Sequence, residues 1–184
     1  MKRAALLTTL IGIVIIGSFM GSCSKKSSTP AKATLYDSLG GTAMTPDPAN
    51  SGKMIEKGRL GIRSVVDSAI FIIAGDTAIN SYFAVLLGEV GSGNFSGFNA
   101  LSKNLTDFIC VGTGAKDFSY TGKSMTDAHN PATNPRINQK VAADDFNSFI
   151  GDVVKAAQKN NVPSNLINSL GVVLVAQESL VVQR

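Results

Sequence analysis

Apolar residues recur at helical spacing along four long segments of this chain, and this repeat constrains the fold more than any other feature. In each segment the apolar side chains lie three or four positions apart, which gathers them on one face of a helix. The segments span residues 62–73, 98–109, 146–157 and 164–181. Sustained alternation of apolar and polar residues, which would indicate half-buried strands, is hard to find. The pattern therefore predicts an all-α domain.

Proline, glycine, asparagine and serine interrupt the helical pattern. Residues 42–52, 88–97 and 112–122 are rich in these types, so we expect irregular structure there. A short helical segment is predicted at about residues 122–129, and two Asn-Pro pairs break the chain soon after it. No internal repeat or second-domain boundary is evident, so we expect one domain over residues 34–184.

The chain of 184 residues contains a single histidine, His129. One imidazole excludes sites that need two, such as HExxH zinc hydrolases and bis-histidine metal ligation. The sequence also has neither a GxSxG nucleophile motif nor a Gly-rich phosphate loop ending in Gly-Lys-Ser/Thr. A lone histidine on a half-apolar helix is usually structural or exposed, so the interpretation of His129 depends on its surroundings.

The first 22 residues have the pattern of an export signal. Lys2 and Arg3 precede an apolar run over residues 4–20, and small residues follow it. An uncleaved membrane anchor is an alternative, because the run is near the ~17-residue minimum for a spanning helix. The segment MGSC, which ends at Cys23, resembles a bacterial lipobox and favours a lipoprotein over both that anchor and ordinary secretion.

We therefore expect a lipoprotein-type signal peptide at residues 1–22 and a flexible tether at residues 23–33. Acyl chains on Cys23 would hold the exported protein in the bacterial cell envelope, facing the periplasm or in the outer membrane. Loss of the two charges in the leader lowers the formal net charge from +4 to +2. No basic stripe that would indicate nucleic acid remains. Cys110 then has no partner for an internal disulfide.

Five short motifs between residues 34 and 182 follow one another in a characteristic order. They are LYDSLGG at 35–41, VVD at 65–67, LTDFIC at 105–110 followed by GA at 114–115, YTG at 120–122 followed by Met125 and His129, and NVP at 161–163. This order resembles that of the truncated haemoglobins of group 1, the small 2-on-2 globins. The resemblance implies a 2-on-2 helical sandwich with insertions at about residues 44–60 and 88–97.

The same resemblance implies a site for haem b. His129 would be the axial ligand of the iron, with its other ring N–H held by a nearby carbonyl. Phe83 would pack on the porphyrin face, and Met125 would line the proximal side. The sixth coordination position would face three apolar residues, Ile70, Leu101 and Leu105. Ordinary core packing is the alternative for these three and for Met125. Three polar residues could reach the haem propionates or lie on a solvated surface: Lys103, Asn104 and Lys123.

Two of these positions depart from the family pattern. Ile70 stands where the family typically has a tyrosine, and Leu105 stands where a glutamine is frequent. We therefore predict an apolar distal pocket that donates no hydrogen bond to bound O2. Such a bond is worth about 1.5–3 kcal/mol, so its absence would weaken O2 retention by about one to two orders of magnitude. CO, and to a lesser degree NO, depend less on that donor.

Three functions follow as hypotheses. The first is a tethered haem protein that reversibly binds a diatomic gas, O2, NO or CO. The second is a haem-free, globin-like lipoprotein that serves as a structural or partner-binding module. The third is an enzyme of the nitric oxide dioxygenase or peroxide type, although no polar distal acid–base group is evident. A cavity beside His129 would favour haem, whereas side chains packed to interior density would favour the second hypothesis.

Overall fold

The computed structural model describes residues 32–184. The predicted signal peptide, Cys23 and all but two residues of the predicted tether lie outside the described residues. In chain order the elements are α1 (Leu35–Ser38), β1 (Met44–Pro46), β2 (Met54–Glu56), α2 (Lys57–Gly75), a 3₁₀ turn (Asn80–Phe83), α3 (Ala84–Gly91), α4 (Ser96–Gly112), α5 (Met125–Ala128), α6 (Ala143–Lys159), α7 (Ser164–Val175) and α8 (Glu178–Val181).

Four long helices form the framework, as the helical spacing predicts. Helix α2 packs against both α4 and α6, and α6 packs against α7. The all-α, 2-on-2 arrangement expected from the sequence is therefore confirmed, with the four helices at the four apolar segments.

The apolar face of α2 lies at the centre of the main core. It buries six side chains at the predicted positions: Ile62, Val65, Val66, Ala69, Ile70 and Ile73. The buried faces of α4 and α6 meet it with Ile109, Cys110, Val153, Ala156 and Ala157. Burial of each large aliphatic side chain is worth about 1.5–3 kcal/mol, so this contact supplies much of the driving force for folding.

A short hairpin occupies the expected insertion at residues 44–60. Strands β1 and β2 are antiparallel, with Thr45 opposite Ile55. Asp47 follows β1 and pairs with Arg63 of α2 at 2.6 Å, which ties the hairpin to the framework. The sequence did not predict these strands, because three residues are too few to show alternation.

Helix boundaries differ from the sequence prediction around residues 88–97 and within residues 164–181. The predicted loop at residues 88–97 shrinks to four residues between α3 and α4, because α3 continues to Gly91 and α4 begins at Ser96. The helix predicted over residues 164–181 ends at Val175, and α8 follows after a turn. After the turn, Val181 packs with Ile73 and Phe146 in a second buried cluster.

An ion pair joins α2 to α4 beside the core. Arg59 contacts Asp107 at 2.6 Å, and Lys103 donates to the other carboxylate oxygen of Asp107 at 2.7 Å. Burial raises the pKa of Asp107, but the hydrogen bonds from Lys103 and Arg59 outweigh it and hold that pKa below its ordinary value. The Arg59 guanidinium also lies 4.5 Å from the centre of the Phe118 ring. The folded state therefore favours the ionised carboxylate.

Within residues 32–184 no single helix combines the length and hydropathy needed to cross a membrane. The helical segments Lys57–Gly75 and Asn80–Gly91 reach that length and hydropathy only when they are taken together. The chain bends by 111° at the break between them.

Replacing Gly58 with alanine should destabilise the protein by about 1–3 kcal/mol, because overpacking forces neighbours apart. A Cβ at this position would lie 2.9 Å from the Tyr36 ring and 3.0 Å from the backbone nitrogen of Gly41. Gly61→Ala on the same helix is the matched control, since its Cβ would meet only the Leu39 carbonyl oxygen, at 3.5 Å. Urea unfolding measures both. Equal stability of the two variants would contradict the close packing at Gly58.

The stability that Asp107 contributes should disappear in acid. Its pKa in the folded protein lies below the value of about 3.9 for an unfolded aspartate, so the contribution is complete above about pH 4 and is lost as pH falls through the folded-state pKa. Asp107→Asn should lower the free energy of unfolding by about 1–3 kcal/mol near neutral pH. The difference from wild type should narrow below about pH 4.

Urea titrations at several pH values test this expectation. Asp117→Asn is the control, because Asp117 is an exposed residue between α4 and α5. Surface changes of this kind stay within about 0.5 kcal/mol of wild type. If the difference between Asp107→Asn and wild type stayed constant as the pH fell, the ion pair would not be the cause of its stability.

Candidate functional site

A cavity of about 580 Å³ lies among the helices, next to the only histidine of the chain. All four long helices contribute to its wall, together with the 3₁₀ turn, α3, and the segment from Tyr120 to Val141. Its volume falls within the range of about 300–1,000 Å³ that is usual for sites of small molecules and cofactors. The side chains of this region are therefore not packed to normal interior density.

All six residues that the sequence predicted as a cofactor site lie in the wall of this one cavity. They come from five parts of the fold: Ile70 from α2, Phe83 from the 3₁₀ turn, Leu101 and Leu105 from α4, Met125 from α5, and His129 from the residue after α5. The structure thus brings side chains that are separated by up to 59 positions to the wall of one largely apolar space.

His129 is oriented by a hydrogen bond to its own helical turn. Its Nδ1 lies 2.7 Å from the Met125 carbonyl oxygen. A carbonyl only accepts, so the ring proton resides on Nδ1 and the Nε2 atom carries a lone pair. Burial lowers the pKa of His129, although the bond to the Met125 carbonyl raises it. The imidazole is therefore neutral at neutral pH, which is the form that binds a metal.

Local contacts before α5 determine where this turn begins. The Ser124 hydroxyl accepts from the Asp127 backbone N–H at 3.1 Å and so caps the helix. The Tyr120 hydroxyl donates to the Lys123 carbonyl at 2.6 Å, and the Tyr120 ring lies against Gly122, where a Cβ would collide with it. The helix predicted at about residues 122–129 is therefore confined to Met125–Ala128, and His129 is the residue that ends it.

Polar side chains in the same wall were missed by the sequence analysis. Tyr82 is buried and donates to Asp145 at 2.5 Å, and Arg184 also contacts this carboxylate, at 3.0 Å. Burial and the bond to Asp145 raise the pKa of Tyr82 to about 12. Because Tyr82 and Asp145 are 63 positions apart, no local pattern could have paired them.

Two basic side chains lie at the mouth of the cavity. Lys123 and Arg136 both line the cavity and are exposed, so they lie where it meets solvent. Arg136 forms a two-pronged ion pair with Glu89, at 2.9 and 2.6 Å, across the first turn of α4. Lys123 donates to the Thr133 carbonyl at 3.0 Å. The sequence analysis did not predict Arg136 at the cavity mouth. Its ion-pair partner Glu89 is 47 positions away, so no local pattern joins the two residues.

The three polar residues considered for haem propionates have different positions. Asn104 and Lys123 line the cavity, whereas Lys103 does not and instead pairs with Asp107. Asn104 lies on the same face of α4 as Leu101 and Leu105, so this helix face is not wholly apolar.

Cys110 lies in the main core and does not line the cavity. Burial raises the pKa of its thiol to about 11, so it stays protonated and behaves as a small apolar residue. Within residues 32–184 there is no group of three histidine, cysteine, aspartate or glutamate side chains arranged to hold a metal ion.

Comparisons with known proteins bear on the fold. No protein-family model matches this sequence, and neither does any curated protein. Among solved structures, a variant of the truncated haemoglobin of Tetrahymena pyriformis in its Fe(III) form is 17% identical, with a TM-score of 0.59. The match covers 83% of this chain and 100% of that chain.

A second similar structure is the 2/2 haemoglobin of Synechococcus sp. PCC 7002, in the cyanomet state with covalently attached haem. It is 19% identical, with a TM-score of 0.57, and the match again covers 83% of this chain and 100% of that chain. Structural similarity at this low sequence identity establishes the fold alone. The chain therefore has the fold of the truncated, or 2/2, haemoglobins.

Proposed function

We propose that this protein binds haem b in the cavity, with His129 as the axial ligand, and reversibly binds a diatomic gas. The observation that carries the proposal is the cavity of about 580 Å³ beside the His129 imidazole. The single N–H proton of this neutral ring is donated to the Met125 carbonyl oxygen. The free lone pair on Nε2 suits an iron ligand, and the hydrogen bond on Nδ1 holds the ring as axial imidazoles are usually held.

The other residues of the wall fit this cofactor. The aliphatic and aromatic side chains, including Ile70, Phe83 and Phe108, would cover a flat apolar macrocycle. The exposed cation Lys123 at the mouth would meet its carboxylate groups, whereas the Arg136 guanidinium is already paired with Glu89. A half-buried imidazole, an apolar body and basic side chains at the opening thus match the three chemically distinct parts of haem.

Bound haem would supply an iron atom with a coordination position for O2, NO or CO. The chain itself would orient the ligand through His129, exclude water with apolar side chains, and determine which gas is retained. Ile70, Leu101 and Leu105 offer no hydrogen-bond donor, which argues for weak retention of O2 relative to CO. Asn104, which lies on the same face of α4 as Leu101 and Leu105, is a polar residue in this part of the cavity wall.

The haem-free module is the weaker hypothesis. It requires the residues beside His129 to fill the space as an ordinary core, and the cavity is too large for that. A ligand that fills the space would make dispersion contacts with its apolar walls and so stabilise the folded state.

The full chain given excess haem should show a Soret absorption band. His129→Gly should lose the spectrum of the histidine-ligated form, because the chain has no second imidazole. Added imidazole should restore that spectrum by entering the vacated space, which provides the control for folding of the variant. Absence of a haem-specific spectrum in the wild type, or an unchanged spectrum in His129→Gly, would overturn the proposal.

Leu105→Gln should place a hydrogen-bond donor in the cavity. A donor to bound O2 is worth about 1.5–3 kcal/mol, so O2 should dissociate from the ferrous protein about 10- to 100-fold more slowly. CO dissociation, measured on the same sample by stopped flow, should change little and serves as the internal control. Equal O2 dissociation from wild type and variant would show that Leu105 does not face the bound gas.

We also propose that the protein is a lipoprotein anchored to the bacterial cell envelope through Cys23. The support is the basic, apolar and MGSC pattern of residues 1–23. Cys23→Ser should abolish incorporation of a labelled fatty acid and remove the protein from the membrane fraction, whereas Cys110→Ser should retain both. Membrane retention of unlabelled Cys23→Ser would instead favour an uncleaved anchor over residues 4–20.

A further inference from the structure

The helix that precedes His129 is too short to be stable by itself. Helix α5 is a single turn of four residues, Met125–Ala128. Helix formation has a costly nucleus, and isolated helices shorter than about 12 residues are marginal in water. The last four carbonyls of any helix also lack partners within it, and in α5 these are all the carbonyls of the helix. Contacts from elsewhere must therefore hold the turn that carries the imidazole.

Each of the four carbonyl oxygens of α5 accepts a hydrogen bond from a side chain. The donors are His129 Nδ1 to Met125 at 2.7 Å, Gln183 Nε2 to Thr126 at 2.8 Å, Thr133 Oγ1 to Asp127 at 2.9 Å, and Asn134 Nδ2 to Ala128 at 2.7 Å. Three of these donors lie outside the helix and the residue that ends it. Side-chain donors therefore bind all four carbonyl oxygens of the turn.

The donors are themselves fixed by backbone hydrogen bonds. In the loop after His129, the backbone N–H groups of Thr133 and Asn134 both donate to the Asn130 carbonyl, at 3.0 and 2.8 Å. The Gln183 backbone N–H donates to the Val141 carbonyl at 2.9 Å. The donors therefore reach α5 from two separate parts of the chain, each with its own anchor.

We propose that Thr133, Asn134 and Gln183 are positioning residues for His129. By holding the carbonyls of Thr126, Asp127 and Ala128, they fix the turn whose first carbonyl, that of Met125, orients the imidazole. The role of the imidazole as a haem ligand rests on the proposed function. The positioning of the turn does not, because it is a property of the chain without a ligand.

Two of the three residues allow a clean test. Asn134 lines the cavity, so its replacement would also change the wall, but Thr133 and Gln183 do not line it. Thr133→Val and Gln183→Leu remove the donor at nearly constant volume. Gln139→Leu is the matched control, because Gln139 is also a side-chain donor but bonds to Ser81, at 3.4 Å, and not to α5. Gln183→Lys restores a donor and tests rescue.

The first measurement is amide hydrogen exchange of the haem-free full chain. The amides of Ala128 and His129, which donate to Ser124 and Met125, should exchange about 2- to 12-fold faster in Thr133→Val and Gln183→Leu, as expected for loss of one hydrogen bond. Amides of α6 should keep the wild-type rate in both variants. Gln139→Leu should match wild type throughout, and Gln183→Lys should exchange more slowly than Gln183→Leu.

The second measurement is the iron–histidine stretching band of the haem-loaded ferrous protein. Thr133→Val and Gln183→Leu should shift or broaden this band, because the imidazole would sample more orientations, whereas Gln139→Leu should leave it unchanged. Unchanged exchange of the α5 amides, or an equal increase at α5 and α6, would overturn the proposal. Faster exchange confined to α5 in a protein that binds no haem would support positioning and overturn the proposed function alone.

Discussion

The burial of one face of α2 against both α4 and α6 is the contact on which the rest of the structure depends. Its apolar stripe supplies the centre of the main core, and the end of the same stripe, at Ala69, Ile70 and Ile73, also lines the cavity. One helix face therefore serves both stability and the site. The hairpin at residues 44–56 and the ion pair of Arg59 join to this helix without entering the cavity wall.

The cavity is a large space for a fold of this size. Protein interiors are close-packed, so a space among helices that is not filled by side chains can accommodate another molecule. The helices frame about 580 Å³ of such space. Ion pairs and hydrogen bonds around it, such as those of Tyr82 with Asp145 and Arg136 with Glu89, hold distant parts of the wall together. A ligand that fills this space would make contacts with its walls, which is the physical basis of the proposal that the cavity binds haem.

Much of the fold and part of the site could be predicted from local patterns. A helix with one buried face repeats its apolar residues every three or four positions, so the four long helices are visible in the sequence. Met125 and His129 are four positions apart, which places them on successive turns and allows the bond from the ring to the Met125 carbonyl. The resemblance to truncated haemoglobins supplied Ile70, Phe83 and the α4 residues, and the structure brings them into one wall.

The amino-acid sequence by itself thus determined the helical framework and singled out His129, because periodicity and a unique residue type are properties of short stretches of chain. Only the tertiary structure decided where α7 ends, which polar residues of the cavity wall form hydrogen bonds and ion pairs, and which side chains donate to the carbonyls of α5. Val181 turns away from α7 to reach a second cluster, and Gln183 reaches back 57 positions to the Thr126 carbonyl. Such contacts join residues that are distant in sequence, so their energy appears only after the chain has folded.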